Sequence, residues 1–213
     1  MRNKYKFLAV AFAGLLMASC ASNTEEVTQE EVQTEQACVY SFNRDETEIS
    51  FTAYKFLNRT GVGGAFDEFL IEGEESEDIF ELIQSLKYEI LVSGLNTKDP
   101  SRDGKITEFF FDEINTEFIY GKVVSLDDEG NATIEITMND ITNNVDGKYT
   151  LEGEHFSFEA EIDVLDWDAQ AGIDALNEEC HALHIDFENG DTESKLWSEV
   201  TINFSTKFNK VCD

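Results

Sequence analysis

Few residues of this chain stand at spacings that could do chemistry. Cys180-His181-Ala182-Leu183-His184 puts three zinc-capable side chains within about one helical turn, and His181 and His184 share a helix face. No fourth ligand is marked beside them and the remaining histidine is His155, so solvated polar groups on a helix are expected and no metal is assigned. Asp166, Asp168 and Gln170 open like a calcium loop, but Ala171 stands where the sharp turn needs Gly and Asn177 where a bidentate Glu is needed. With 45 Asp and Glu, close carboxylate pairs are unavoidable and carry no sign of glycoside hydrolysis. Gly-x-Ser-x-Gly, a phosphate-binding glycine loop and Cys-x-x-Cys are absent from the sequence. The expectation is a protein that is not an enzyme and uses no cofactor.

The chemistry most clearly written is at the start. Arg2, Lys4 and Lys6 precede the apolar run Phe7 to Leu16, too short to span a bilayer, and then Met17-Ala18-Ser19-Cys20. Small residues directly before a cysteine resemble the lipobox of bacterial lipoproteins, in which the thiol is diacylated and becomes the new N-terminus. Residues 1–19 are therefore expected to be a lipoprotein signal peptide and Cys20 the lipidation site. Residues 20–37 would form an acidic, disordered tether, rich in Glu, Thr and Gln and without aromatics. Extended, such a tether reaches roughly 55 to 60 Å. Residues 38–213 would be one domain, exported to the bacterial cell envelope as a periplasmic or outer-surface lipoprotein.

Charge narrows the partners. Without Arg2, Lys4 and Lys6 the chain keeps 12 of its 15 Lys and Arg against 45 Asp and Glu, a formal charge of −33. Such a surface repels phosphate backbones and anionic lipid head groups, which excludes nucleic acid and electrostatic docking on a membrane. Membrane attachment would then rest on the acyl chains. With Cys20 consumed by lipid, Cys38, Cys180 and Cys212 remain, and one pair with one leftover thiol is the simplest outcome in an oxidising compartment.

The elements that must position these residues are mostly strands. In Asn131 to Met138 the apolar Ala132, Ile134, Ile136 and Met138 alternate with polar neighbours, and the period of two recurs over Val145 to Leu151, Phe156 to Val164 and Val200 to Phe208. Further strands are expected at Val39 to Phe42, Glu48 to Phe56, Val62 to Ile71, Tyr88 to Ser93 and Phe118 to Ser125. Turn signals stand at Gly61-Val62-Gly63-Gly64, Asp127 to Gly130, Val145-Asp146-Gly147 and Glu152-Gly153-Glu154. Helical spacing predicts helices over Ser76 to Leu86, after a Ser cap, and Asp168 to His184, with a third short one at Ile106 to Ile114. The expected class is mainly β: an antiparallel barrel of about eight strands, closed on itself so that no edge is left, with helices in the connections.

Tyr40 to Phe56 followed by Gly61-Val62-Gly63-Gly64-Ala65-Phe66, then Thr97 with Arg102-Asp103-Gly104-Lys105-Ile106 and Phe109-Phe110-Phe111, then Leu176 to Cys180 and Ser194-Lys195-Leu196-Trp197, resemble in order and spacing the YceI-like family. The resemblance spans about Tyr40 to Phe208. It implies a lipocalin-like barrel, exported, often a homodimer, that holds an isoprenoid or related lipid in its lumen and brings no catalytic residues. The lumen would be lined by Phe51, Ala53, Phe66, Phe109, Phe110, Ile134, Ile136, Phe156, Phe158, Ile162, Ile202 and Phe204, with Arg102 and Asp103 near a lipid head group. The other reading of the same alternation is a solid core, in a surface lipoprotein that meets other proteins through its acidic face. In a barrel closed by pairing its first and last strands, Cys38 and Cys212 would meet at one rim and form the disulfide; Cys38 with Cys180 is the competing pair.

Overall fold

The computed structural model describes residues 37–212; the signal segment and Cys20 lie outside the described residues. Twelve strands follow one another as β1 (Cys38–Ser41), β2 (Thr47–Lys55), β3 (Thr60–Phe66), β4 (Phe69–Glu72), β5 (Lys87–Leu91), β6 (Leu95–Asn96), β7 (Phe118–Leu126), β8 (Asn131–Met138), β9 (Ile141–Glu152), β10 (His155–Asp163), β11 (Leu196–Lys207) and β12 (Asn209–Cys212). Three short helices lie in the connections: α1 (Ile79–Ser85), α2 (Pro100–Ile106) and α3 (Gln170–Glu179). Ten strands form one strongly curled antiparallel sheet in the order β4-β5-β7-β8-β9-β10-β11-β2-β3-β6. Its inner face is the apolar half of each alternation: the β8 residues Ala132, Ile134, Ile136 and Met138 are all buried while their polar neighbours are not.

Glycines allow the curl. Val145-Asp146-Gly147 reads as a turn but lies within β9, because a Cβ on Gly147 would stand 2.5 Å from the Phe158 ring and from the Glu159 carbonyl oxygen on the neighbouring strand. The true β8–β9 turn is Asn139-Asp140, both at positive φ (50° and 56°), as a two-residue hairpin of this hand requires. Gly61 to Gly64 likewise belongs to β3, and the β2–β3 turn is made by the four residues before Thr60.

At the two ends of the strand order the same two chain segments meet again. β3 runs into β4 through Asp67 and Glu68, and β5 runs into β6 through a 3-10 turn at Val92–Gly94. Leu91 N donates to Glu68 O at 3.0 Å and Asp67 N to Gly94 O at 2.8 Å, so hydrogen bonding continues from the β4–β5 pair to the β3–β6 pair.

The first and last strands do not close this sheet, contrary to the expectation from their ends. β2 pairs with β11 instead, and β1 pairs with β12 in a separate two-stranded ribbon in register Cys38↔Cys212. Phe208, 2% exposed, causes the departure: its ring is buried and its N–H donates to Glu154 O at 2.9 Å, which turns the chain out of the sheet after β11. Cys38 and Cys212 are joined by a disulfide at the end of the ribbon, and Cys180 is a buried thiol at the end of α3.

Helices α1 and α3 start later than their periodicity suggests. Asp78, not Ser76, caps α1 by accepting from Phe80 N at 2.8 Å, while Ser76 accepts from Asp78 N and donates to Glu81. The expected helix at 106–114 is a π-helical turn over Thr107–Phe111, preceded by α2, whose start is marked by the Asp99 cap and Pro100. α3 ends at Glu179 and gives way to a 3-10 turn at His181–His184.

Candidate functional site

The inward side chains of the curled sheet leave an unfilled apolar lumen. Its walls come from β2 (Ile49, Ser50, Phe51), β3 (Phe66), β5 (Tyr88, Ile90), β7 (Ile119, Val123), β8 (Ala132, Ile134, Ile136, Met138), β10 (Phe156, Phe158, Ile162) and β11 (Ile202, Asn203, Phe204), with Ile71 and Leu86 contributed beside β5. The space open to the centre of a water-sized group is about 130 Å³, and all unfilled space among the walls, solvent at the openings included, is about 980 Å³. The smaller figure decides capacity. At roughly 30 Å³ for each methylene-sized group, the lumen as it stands holds on the order of five, a narrow track rather than a wide bag.

Its shape depends on two bare backbone positions. Phe51 lies in register with Gly64, and a Cβ there would stand 2.5 Å from the ring's Cζ, so the missing side chain lets the ring lie across β3. Tyr88 is in register with Gly121 in the same way, and its hydroxyl donates to the Glu135 carbonyl at 3.0 Å. Burial holds the Tyr88 hydroxyl well above its ordinary pKa, with Glu135 adding to the effect, so it stays neutral. This polar group of the wall is already satisfied, and the wall is almost wholly apolar.

Of the candidate lining residues, Phe51, Phe66, Ile134, Ile136, Phe156, Phe158, Ile162, Ile202 and Phe204 stand on the lumen wall. Ala53, Phe109 and Phe110 do not. Ala53 sits one inward position beyond, in register with Val62 and Val200. Phe110 is buried edge-on against Phe111 at 5.0 Å and beneath Gly172 of α3, where a Cβ would come within 2.8 Å of its ring, and Phe109 is half-buried against the core. The aromatic file Phe51–Phe66–Phe111–Phe110 thus leads from the lumen into the helical layer, with centroids 5.0 to 6.3 Å apart. Ile49, Ile71, Leu86, Tyr88, Ile90, Ile119, Val123, Ala132 and Met138 also stand on the wall, with Ser50 and Asn203; the period of two that marks Ile134 and Ile136 marks the apolar ones that lie on strands as well.

Asp103, expected near a head group, is engaged in the fold through one oxygen: its Oδ1 accepts from Thr97 N at 2.8 Å and Thr97 Oγ1 at 2.6 Å, fixing the chain as it leaves β6. Arg102 is exposed and only loosely paired, 3.8 Å from Asp99. The strongest polar cluster near this rim gathers where α2, α3 and the end of β2 meet. Lys105 pairs with Glu179 at 2.7 Å, Lys55 donates to Leu183 O at 3.0 Å, and His184 Nδ1 donates to Asn177 Oδ1 at 2.9 Å. Burial, with Lys55 nearby, pushes His184 down to about 4, and burial pushes the Cys180 thiol up. His184 and Cys180 are both buried in this corner; among the described residues no group of three His, Cys, Asp or Glu is placed to hold a metal.

The family model described as a YceI-like domain matches residues 40–208. No curated protein matches the sequence significantly. Among solved structures, BcnA of Burkholderia cenocepacia is similar over 80% of this chain and 99% of its own, with a TM-score of 0.55 at 16% identity. A domain from Saccharophagus degradans, described as a polyisoprenoid binding domain implicated in plant cell wall breakdown, is similar over 82% of this chain and 98% of its own, with a TM-score of 0.56 at 13% identity. At such identities these likenesses show the fold.

Proposed function

Since the chain belongs to the YceI-like family, we propose that it is a binding protein that takes the hydrocarbon chain of a lipid, an isoprenoid quinone, polyprenyl compound or fatty chain, into this lumen. It does so anchored in the bacterial cell envelope through acylated Cys20. The observation that carries this reading is the lumen itself, walled almost wholly by Phe, Ile, Leu, Val, Ala and Met with its one tyrosine hydroxyl engaged. In this reading the sheet is a closed barrel of eight staves, with β3–β4 and β5–β6 each counted as one bent strand. The bonds from Leu91 to Glu68 and from Asp67 to Gly94 across the seam support it.

Removing about five methylene-sized groups from water at ~0.8 kcal/mol each contributes roughly 4 kcal/mol before the cost of ordering the chain. Tighter capture then comes from the further groups that are buried as a longer chain enters. A forty-carbon chain exceeds this space, so it either extends through an opening or displaces the Phe51, Phe156 and Phe204 rings.

Ala132→Phe tests the reading, because Ala132 faces the free space. Filling the lumen should lower affinity for a polyprenyl probe at least about tenfold while leaving chemical stability equal or higher. A solid core would instead be overpacked and lose about 1 to 3 kcal/mol, with no binding to lose.

A further inference from the structure

We infer that Lys55, supported by Arg102, holds the anionic head group, carboxylate or phosphate, of a lipid whose chain lies in the lumen; the inference rests on the lumen reading above. Lys55 ends β2 on the face that carries Ile49, Phe51 and Ala53. The lumen wall reaches Ile162, whose register partner Val200 is in turn paired with Ala53. Lys55 is the next inward position, roughly 7 Å further along the strand. A chain threaded past Ile162 therefore arrives at its ammonium.

That ammonium is poorly compensated. It is half-buried, lies 4.4 Å from the centre of the Phe56 ring and donates to the Leu183 carbonyl, and it forms no ion pair among the described residues. Burial and the neighbouring Arg102 charge both lower its pKa. The nearby Asp186 carboxylate, which accepts from Asn58 Nδ2 and from the Asn189 amide and side chain, keeps its charge and offsets Lys55 only in part. Lys55 thus lies one inward position beyond Ala53, off the end of the lumen, with the Arg102 charge near enough to act on it, and an entering anion would relieve that repulsion. A neutral head group would not.

Isothermal titration of the full-length protein with dodecanoate, dodecyl phosphate and dodecan-1-ol separates the cases. The expected result is tighter binding of at least one anion than of the alcohol, by about tenfold, with the preferred anion naming the head group. Lys55→Met should collapse that ratio towards one, Lys55→Arg should retain it, and Arg102→Gln should reduce it several-fold. Equal binding of all three probes, or an unchanged ratio in Lys55→Met, overturns the inference while leaving the lumen reading intact. If none of the three binds, the lumen reading fails and the head-group site with it.

Discussion

A methyl group on Gly121 would stand 2.1 Å from the Tyr88 ring and 2.2 Å from the Glu135 carbonyl oxygen, and neither neighbour can retreat without moving β5 or β8. Gly121→Ala is expected to lower stability by about 1 to 3 kcal/mol in urea unfolding, and more if the Tyr88–Glu135 bond is lost. His184 gives a test with a sign. Its ordinary pKa of 6.5 falls to about 4 in the folded chain, so below pH 6.5 the unfolded state takes up a proton that the folded state refuses. The stability advantage of the wild type over His184→Gln should therefore shrink as pH falls from about 6.5 to about 4 and level off below, read as the difference between two denaturation series. At this scale the sequence was only partly legible. Apolar parity marked Phe158 and Ile202, but nothing in one sequence distinguishes a glycine that makes a turn, such as Gly153, from one that admits a ring, such as Gly121 or Gly147. Lys55 was overlooked because it closes an alternating strand, where a lysine reads as solvated rim.

The ribbon of β1 and β12 is an element whose work is separable from the lumen, since no lumen wall residue comes from it. Its disulfide spans a sequence separation of 174 residues. Closing so long a loop is worth up to about 5 kcal/mol in the chain-entropy model. Cys38→Ala with Cys212→Ala should lower the urea midpoint by a comparable or smaller amount while lipid affinity changes less than about twofold. A large loss of affinity at unchanged stability would contradict the separation. Strands such as β8 were legible to the residue because one face meets water and the other the lumen, which writes the period into the sequence. β6 and β12 were not, because two and four residues of edge pairing carry too little pattern. The ribbon's pairing was hidden for another reason: chain ends say which strands are first and last, but only the burial of Phe208 says where the chain leaves the sheet.

Across the whole molecule the formal charge of −30 opposes compactness. Raising sodium chloride from about 10 mM to about 500 mM shortens the Debye length from about 30 Å to under 5 Å. The melting temperature should rise with it, and a fall would mean that specific ion pairs outweigh the general repulsion. The few pairs seen, such as Lys122 with Glu135 at 3.2 Å and Lys210 with Glu154 at 3.5 Å, are exposed and too weak to do so. The central claim is that the lumen carries lipid. Its most direct test is organic extraction of protein purified from a bacterial envelope without detergent, followed by mass spectrometry of the extract and quantitation against protein. The account predicts one dominant lipid with a long hydrocarbon chain at close to one molecule per chain, lost in Ala132→Phe. An extract with no lipid near stoichiometry, from protein that also fails to bind an added polyprenyl probe, would contradict it.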